Sequence, residues 1–351
     1  MRWIYGALAL ALTLAAGIVA TAKTRSVPPP PHIVVHDVDE TAAWNETFTQ
    51  VRYLAIQRDF AGLNAVEKTL RMKRARTPSG NWKLEAFFAG VDRDMRAEER
   101  TKGCNRGQHS FYSDWAKVDP KQPGPYIAEA YNLTAYAVCV RGFAPASQVP
   151  AEYMAIYVRA AQQAKALLEA HRAVAAVDPQ YYAEMIDADM KLGVGPAEMQ
   201  KLLKEAAARE PDYDPIYKSA IFYYLPEWYG QPGDVDRLGR FALAANAHAA
   251  NAPADRGIYA RLFWQYALLK EDCGCKALQA MDWEIGRQSM WDDLRSYPTD
   301  WNVGVFAKLA CKVGDLDTAA QLMALLPNPQ ASWLHNAGFV ACRQSVQARL
   351  G

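Results

Sequence analysis

The six cysteines, Cys104, Cys139, Cys273, Cys275, Cys311 and Cys342, carry the most definite chemistry in this chain. An even number of thiols can pair wherever the compartment is oxidising. Cys273-Gly274-Cys275 also sets two soft ligands one residue apart, the beginning of a thiolate metal site. Such a site needs further ligands at local spacing, and neither a second cysteine pair nor a histidine cluster accompanies it. Disulfides are therefore expected, with no metal and no cofactor. The histidines are scattered: His32 and His36 fall in a proline-rich stretch, and His171 beside Arg172 reads as a surface position. No phosphate-cradling glycine loop, zinc-binding His-Glu-x-x-His helix or Gly-x-Ser-x-Gly elbow occurs.

Paired carboxylates are the other route to chemistry, because glycan hydrolysis needs two acids flanking one bond. Asp187 and Asp189 are two residues apart and point to different sides of a helix. Asp292 and Asp293 follow Trp291, and Glu227 precedes Trp228. Each also reads as a solvated helix face or a cap. The aromatic run Tyr213, Tyr217, Phe222, Tyr223, Tyr224, Trp228, Tyr229 is denser than any other stretch. Tyr217, Tyr224 and Trp228 are spaced by seven and four, so on a continuing helix they share one side. With Tyr229 they form the candidate binding set, for a peptide or a sugar ring; large rings filling gaps between helices are the alternative.

These residues need elements to hold them. The 351-residue chain is 51% hydrophobic and 22% charged, which suits a globular fold with a sizeable core. A net charge of +1 lacks the basic excess of a nucleic-acid binder. Met1-Arg2 precedes an uncharged, mostly apolar run from Trp3 to Ala20, and Ala20-Thr21-Ala22 supplies small residues for a signal peptidase. Residues 1–22 are thus expected to be a signal peptide, with an uncleaved anchor as the alternative. Residues 23–40, with four consecutive prolines from Pro28 to Pro31, read as an extended spacer. The protein is expected to be exported, periplasmic or extracellular, and touching a membrane only through an uncleaved N-terminal segment.

Residues 41–350 read as one all-α domain, with an N-terminal subregion 41–145 and a repeat region 150–350. Trp44, Phe48, Val51, Leu54 and Ala55 recur at helical spacing, as do Phe60, Leu63, Val66 and Leu70. Pro150 suits the first residue of a long helix. Helix pairs then follow: 180–212 with a turn at Gly193-Val194-Gly195-Pro196, then 215–225 with 235–249, then helices near 256–269, 277–294, 301–312, 316–325 and 332–348. Pairs recurring every few tens of residues predict an α-solenoid, because each pair buries its apolar face only against its neighbours.

The stretch from Val303 to Pro329 resembles a tetratricopeptide repeat, with Ala307 at the helix crossing, Gly314-Asp315 at the turn and Ala319 and Met323 in the second helix. Gly80-Asn81-Trp82-Lys83-Leu84 with Phe87-Phe88, then Tyr136-Ala137 through Arg141-Gly142, then Glu210 to Tyr217, then Leu225-Pro226-Glu227-Trp228-Tyr229-Gly230, form an order of motifs over most of 41–325. In that order the chain resembles an uncharacterised bacterial family of tetratricopeptide-like proteins, a domain of unknown function. The resemblance implies a helical-hairpin solenoid wound as a right-handed superhelix, and no catalytic residues.

The expected function is an exported scaffold that binds a protein or peptide in the cell envelope without catalysis. A cell-wall glycan-binding module and an all-α glycan hydrolase or lyase are the alternatives. In stacked pairs the ends of equivalent helices lie side by side. That places Cys311 against the Cys273/Cys275 pair, Cys275 favoured, with Cys342 bonded to the other member if the last helix folds back, and Cys104 bonded to Cys139.

Overall fold

The computed structural model describes residues 32–93, 97–247, 256–270, 275–326 and 337–350. Residues 1–22, the first half of the spacer (23–31), His248, Cys273 and His335 lie outside the described residues. The described chain is helical apart from one short hairpin. Among the described residues no helix is long and apolar enough to cross a membrane.

Helix α1 (Glu40–Ile56) starts where Asp39 accepts a hydrogen bond from Ala42 N at 2.8 Å, and α2 (Phe60–Met72) starts where Asp59 does the same for Gly62 N. Both are short acidic caps on otherwise unpaired N–H groups. Helix α3 (Lys83–Arg93) packs along α1. After it come an antiparallel hairpin, β1 (Ala97–Thr101) and β2 (Cys104–Gly107), and a further helix α4 (His109–Val118). Phe111, Tyr112 and Trp115 bury one side of α4, a stripe that the surrounding glycines and prolines obscure in the sequence.

Helices α5 (Gly124–Arg141) and α6 (Ala151–Ala170) make the tightest pair, followed by the short α7 (Arg172–Ala175). Pro150 sits one residue outside α6 with ψ 140°, as its cap residue and not its first turn. Then come α8 (Gln180–Leu192) with α9 (Pro196–Arg209), and α10 (Asp214–Tyr223) with α11 (Asp234–Ala247). Gly193 ends α8 with φ +65°, the left-handed value that lets the chain reverse, as the turn residues predict. Helix α12 (Ile258–Leu269) follows. The single helix expected over 277–294 is broken into α13 (Cys275–Leu278) and α14 (Trp283–Ser296), because Asp282 turns its carboxylate onto the N–H groups of Glu284 and Ile285. Helices α15 (Asp300–Val313), α16 (Leu316–Ala324) and α17 (Ala337–Leu350) close the chain.

Helices α5, α8, α10, α12 and α15 pack in a row, each against the next, with α6, α9, α11, α14 and α16 as their hairpin partners. The row is enclosed. Helix α8 buries eleven of its thirteen residues, including Glu184, Asp189 and Lys191. A stripe of Tyr181, Met185, Ile186 and Met190 accounts for one side only. The remainder is covered by α5 and α6, whose Thr134 and Lys165 meet Glu184 and Asp189, while the N-terminal region is fastened to the row near the starts of α10 and α15.

Three contacts show that placement. Trp82 Nε1 donates to the Asp212 carbonyl at 3.0 Å, while Arg74 and Arg76 pair with the Asp212 carboxylate. Ser79 Oγ lies 2.9 Å from Thr299 Oγ1, and the Ser79 carbonyl accepts from Asn302 Nδ2 at 3.1 Å. His36, expected in a free spacer, has its backbone paired on both sides, with Pro298 O at 2.7 Å and Asp300 N at 3.0 Å.

The disulfides correct one expectation. Cys104 is joined to Cys139, with Cα atoms 5.8 Å apart, tying the β-hairpin to α5. Cys311 is joined to Cys342, and not to Cys275 or Cys273. Helix α17 folds straight back on both α15 and α16, which brings Cys342 beside Cys311 within one local loop. Cys275 opens α13.

Candidate functional site

The sequence-predicted binding set does not assemble as one stripe. Pro226 follows the end of α10 at Tyr223, so helical spacing stops before Trp228. Tyr217 is fully buried and donates its hydroxyl to the Pro211 carbonyl at 2.9 Å; it belongs to the core. Tyr224 is half-buried at the α10 end. Trp228 and Tyr229 lie in the tight turn beyond, held by Trp228 N on Leu225 O (2.9 Å) and Gly230 N on Leu225 O (3.1 Å). Gly230 is required there, because a Cβ would fall 2.1 Å from the Tyr224 carbonyl oxygen.

That turn is fastened to the α8–α9 turn. Tyr223 donates to the Val194 carbonyl at 2.8 Å, and the Tyr229 ring stacks obliquely on Tyr223 with centroids 5.1 Å apart. A Cβ on Gly193 would be 2.7 Å from the Tyr229 hydroxyl, so the ring lies directly over the end of α8. The Trp228 indole is thereby presented to the end of α5.

There it meets Arg141. The guanidinium carbon lies 5.0 Å from the Trp228 ring centroid and 5.6 Å from that of Tyr157 on α6. Nη1 donates to the Gly142 carbonyl at 2.8 Å. Arg141 is only 9% exposed, and its Nε is buried with no hydrogen-bond partner. Among the described residues no carboxylate lies within ion-pairing distance of it. Phe143, two residues on, is 94% exposed, and Tyr229 is 42% exposed. Beside them Lys102 Nζ sits 5.1 Å from the Tyr153 ring, on the hairpin that the Cys104–Cys139 bond fixes to α5. The result is an aromatic surface around one buried cation.

The carboxylates weighed as catalytic pairs are each tied to a cation. Asp187 pairs with Lys191, and Asp189 turns the other way to Lys165 at 2.7 Å. Asp293 is buried on Arg261, while Asp292 faces Arg295. Glu227 pairs with Lys270 at the rim of a half-open cavity of about 270 Å³, which Pro226, Pro232, Tyr266 and Ala280 help to line. Trp228 does not line this cavity. His171 stacks on Tyr126 with ring centroids 3.9 Å apart.

Beneath the surface, burial pushes the Glu184 carboxyl up to about 8, with the negative charge of Asp187 adding to it; bonds from Gln180 and Thr134 and the charge of Lys191 pull back. Burial raises the Tyr157 hydroxyl as well, again helped by Asp187. Asp178 is driven well up by complete burial and by Glu67 beside it. Burial also pushes the Asp214 carboxyl up, but Lys218, Arg261 and Arg76 more than offset it and leave it below the usual range.

Arg141, Tyr157 and Phe143 are absent from the sequence-predicted set. Arg141 and Trp228 are 87 positions apart, so no local spacing links them. The one available signal was Arg141-Gly142 as a helix end.

No family model matches the chain, and no curated protein or solved structure matches it.

Proposed function

We propose that this is an exported tetratricopeptide-like repeat protein, its hairpins wound as a right-handed α-solenoid, that binds a protein or peptide partner in the cell envelope. The observation that carries the reading is the surface formed by Arg141, Trp228, Tyr229 and Phe143. Aromatic rings with polar edges around an arginine are the composition of interface hot spots. A fully exposed phenylalanine beside them is costly to leave in water and gains from a partner. The order of helical hairpins supports the repeat architecture, and the N-terminal apolar run and its small-residue site support export. This surface lies at the edge where α5, α8 and α10 end.

The test is binding of the purified protein to an array of random short peptides, repeated with Phe143→Ser. Selective binding weakened by the substitution is expected. A featureless array, with sedimentation on purified peptidoglycan instead, would replace this reading by the glycan-binding one, which the neighbouring Trp228 and Tyr229 rings favour.

A further inference from the structure

We infer that Arg141 is the receptor for a carboxylate of the bound peptide. This rests on the peptide-binding reading above and names what that surface recognises. A guanidinium taken out of water needs a compensating charge or a full set of acceptors, and an uncompensated buried charge is strongly unfavourable. Three other buried cations each meet a carboxylate, Lys191 with Asp187, Arg261 with Asp293 and Lys270 with Glu227, while buried Lys308 lies over the Trp264 ring. Arg141 has two aromatic faces and one carbonyl oxygen instead. Cation–π contact and a single neutral acceptor offset part of the desolvation cost and leave the charge unneutralised.

The geometry selects the ligand. Tyr157 and Trp228 fix the guanidinium from their faces, and Nη1 is engaged by Gly142, so an anion approaches along the guanidinium edge left over. A planar fork approached edge-on suits a planar carboxylate. Phe143, two residues after Arg141, and Tyr229, next to Trp228, carry exposed rings that suit an apolar residue next to that carboxylate. Lys102, on the neighbouring hairpin, adds a second positive charge to the same edge. The carboxylate is either the chain terminus of the peptide or an Asp or Glu side chain.

The experiment titrates the purified protein with N-acetylphenylalanine, N-acetylphenylalanine amide and N-acetylmuramic acid, following the Arg141 Nε–H resonance, assigned through its scalar couplings along the side chain to the Arg141 backbone. The acid should shift that resonance saturably and bind roughly tenfold or more tightly than the amide, in keeping with a charge-assisted bond. Arg141→Lys should lose most of the preference and Arg141→Gln all of it, with melting temperatures recorded for both. Because the wild-type resonance is read directly, a variant that fails to fold leaves the test intact. Equal binding of acid and amide would overturn the proposal. Binding of N-acetylmuramic acid alone would overturn it too, in favour of a wall glycan.

Array peptides with a free C-terminus, with an amidated C-terminus, and amidated with an internal Glu then separate the two carboxylate sources. Peptides that bind equally in all three forms would sink the role of Arg141 and leave peptide binding standing. A response to N-acetylphenylalanine with no array peptide bound would do the reverse.

Discussion

Trp82 and Asp212, 130 residues apart, are joined by an indole N–H on a backbone carbonyl, and the Trp82 ring lies between the Arg74 and Arg76 guanidinium groups that hold the Asp212 carboxylate. The N-terminal region is thereby clamped to the turn between α9 and α10. The indole is 1% exposed and meets Tyr213 edge-on with centroids 4.9 Å apart. Trp82→Ala should cost roughly 3–5 kcal/mol in equilibrium denaturation, the range for a large ring removed from a core. Asp212→Ala should cost roughly 3 kcal/mol, since it removes the carboxylate that Arg74 and Arg76 share and leaves Arg74 with Glu210. A loss under ~1 kcal/mol in both would mean that the clamp does not hold the fold.

A second prediction concerns pH. Glu184 is buried against Thr134, whose hydroxyl lies 3.0 Å from the Tyr131 carbonyl and 3.2 Å from Glu184 Oε2. Its folded carboxyl titrates at about 8, above the usual value near 4.5. The folded protein therefore binds a proton that the unfolded chain has released. The stability this contributes is fully present below about pH 4.5 and declines until pH passes about 8. Glu184→Gln, which resembles the neutral acid, should remove that decline. Its melting temperature relative to the parent should rise between pH 5 and pH 8; a constant difference would show that Glu184 is ionised in the fold.

The disulfides give a third. Peptide mapping without reductant should recover Cys104 linked to Cys139 and Cys311 linked to Cys342. Replacing Cys311 and Cys342 together by alanine should lower stability by roughly 2–4 kcal/mol, since the bond closes a loop at the end of the chain. A Cys311–Cys275 peptide would restore the connectivity expected from stacked helix ends and overturn the one observed.

Much of the helical order was legible because it is local. Asp59 as a cap, Gly193 as a turn and the stripe of Phe60, Leu63 and Val66 are written within a few residues of where they act. The pairing of Cys311 was not, because it depends on α17 folding back, and no residue between them announces that direction. Burial of Glu184 and Asp189 was not legible either. A polar helix face reads as solvated until its distant partners, here Thr134 on α5 and Lys165 on α6, are known to meet it. The binding set failed for a local reason that was in view: Pro226 ends the helix on which the spacing of Tyr217, Tyr224 and Trp228 depended.

Tyr217 and Trp228 should accordingly separate in experiment. Tyr217→Phe removes a buried hydroxyl from the Pro211 carbonyl and should cost about 1 kcal/mol without affecting binding of N-acetylphenylalanine. Trp228 is half-buried and covers Arg141, so Trp228→Ala should cost about 1–2 kcal/mol, from lost apolar area and lost cation–π contact. Binding should fall further than stability does, because the alanine exposes the guanidinium to water and removes the wall that orients it. Denaturation and titration of the same two variants decide the matter. A Trp228→Ala loss above ~3 kcal/mol would place the ring in the core, and unchanged affinity in that variant would remove it from the site.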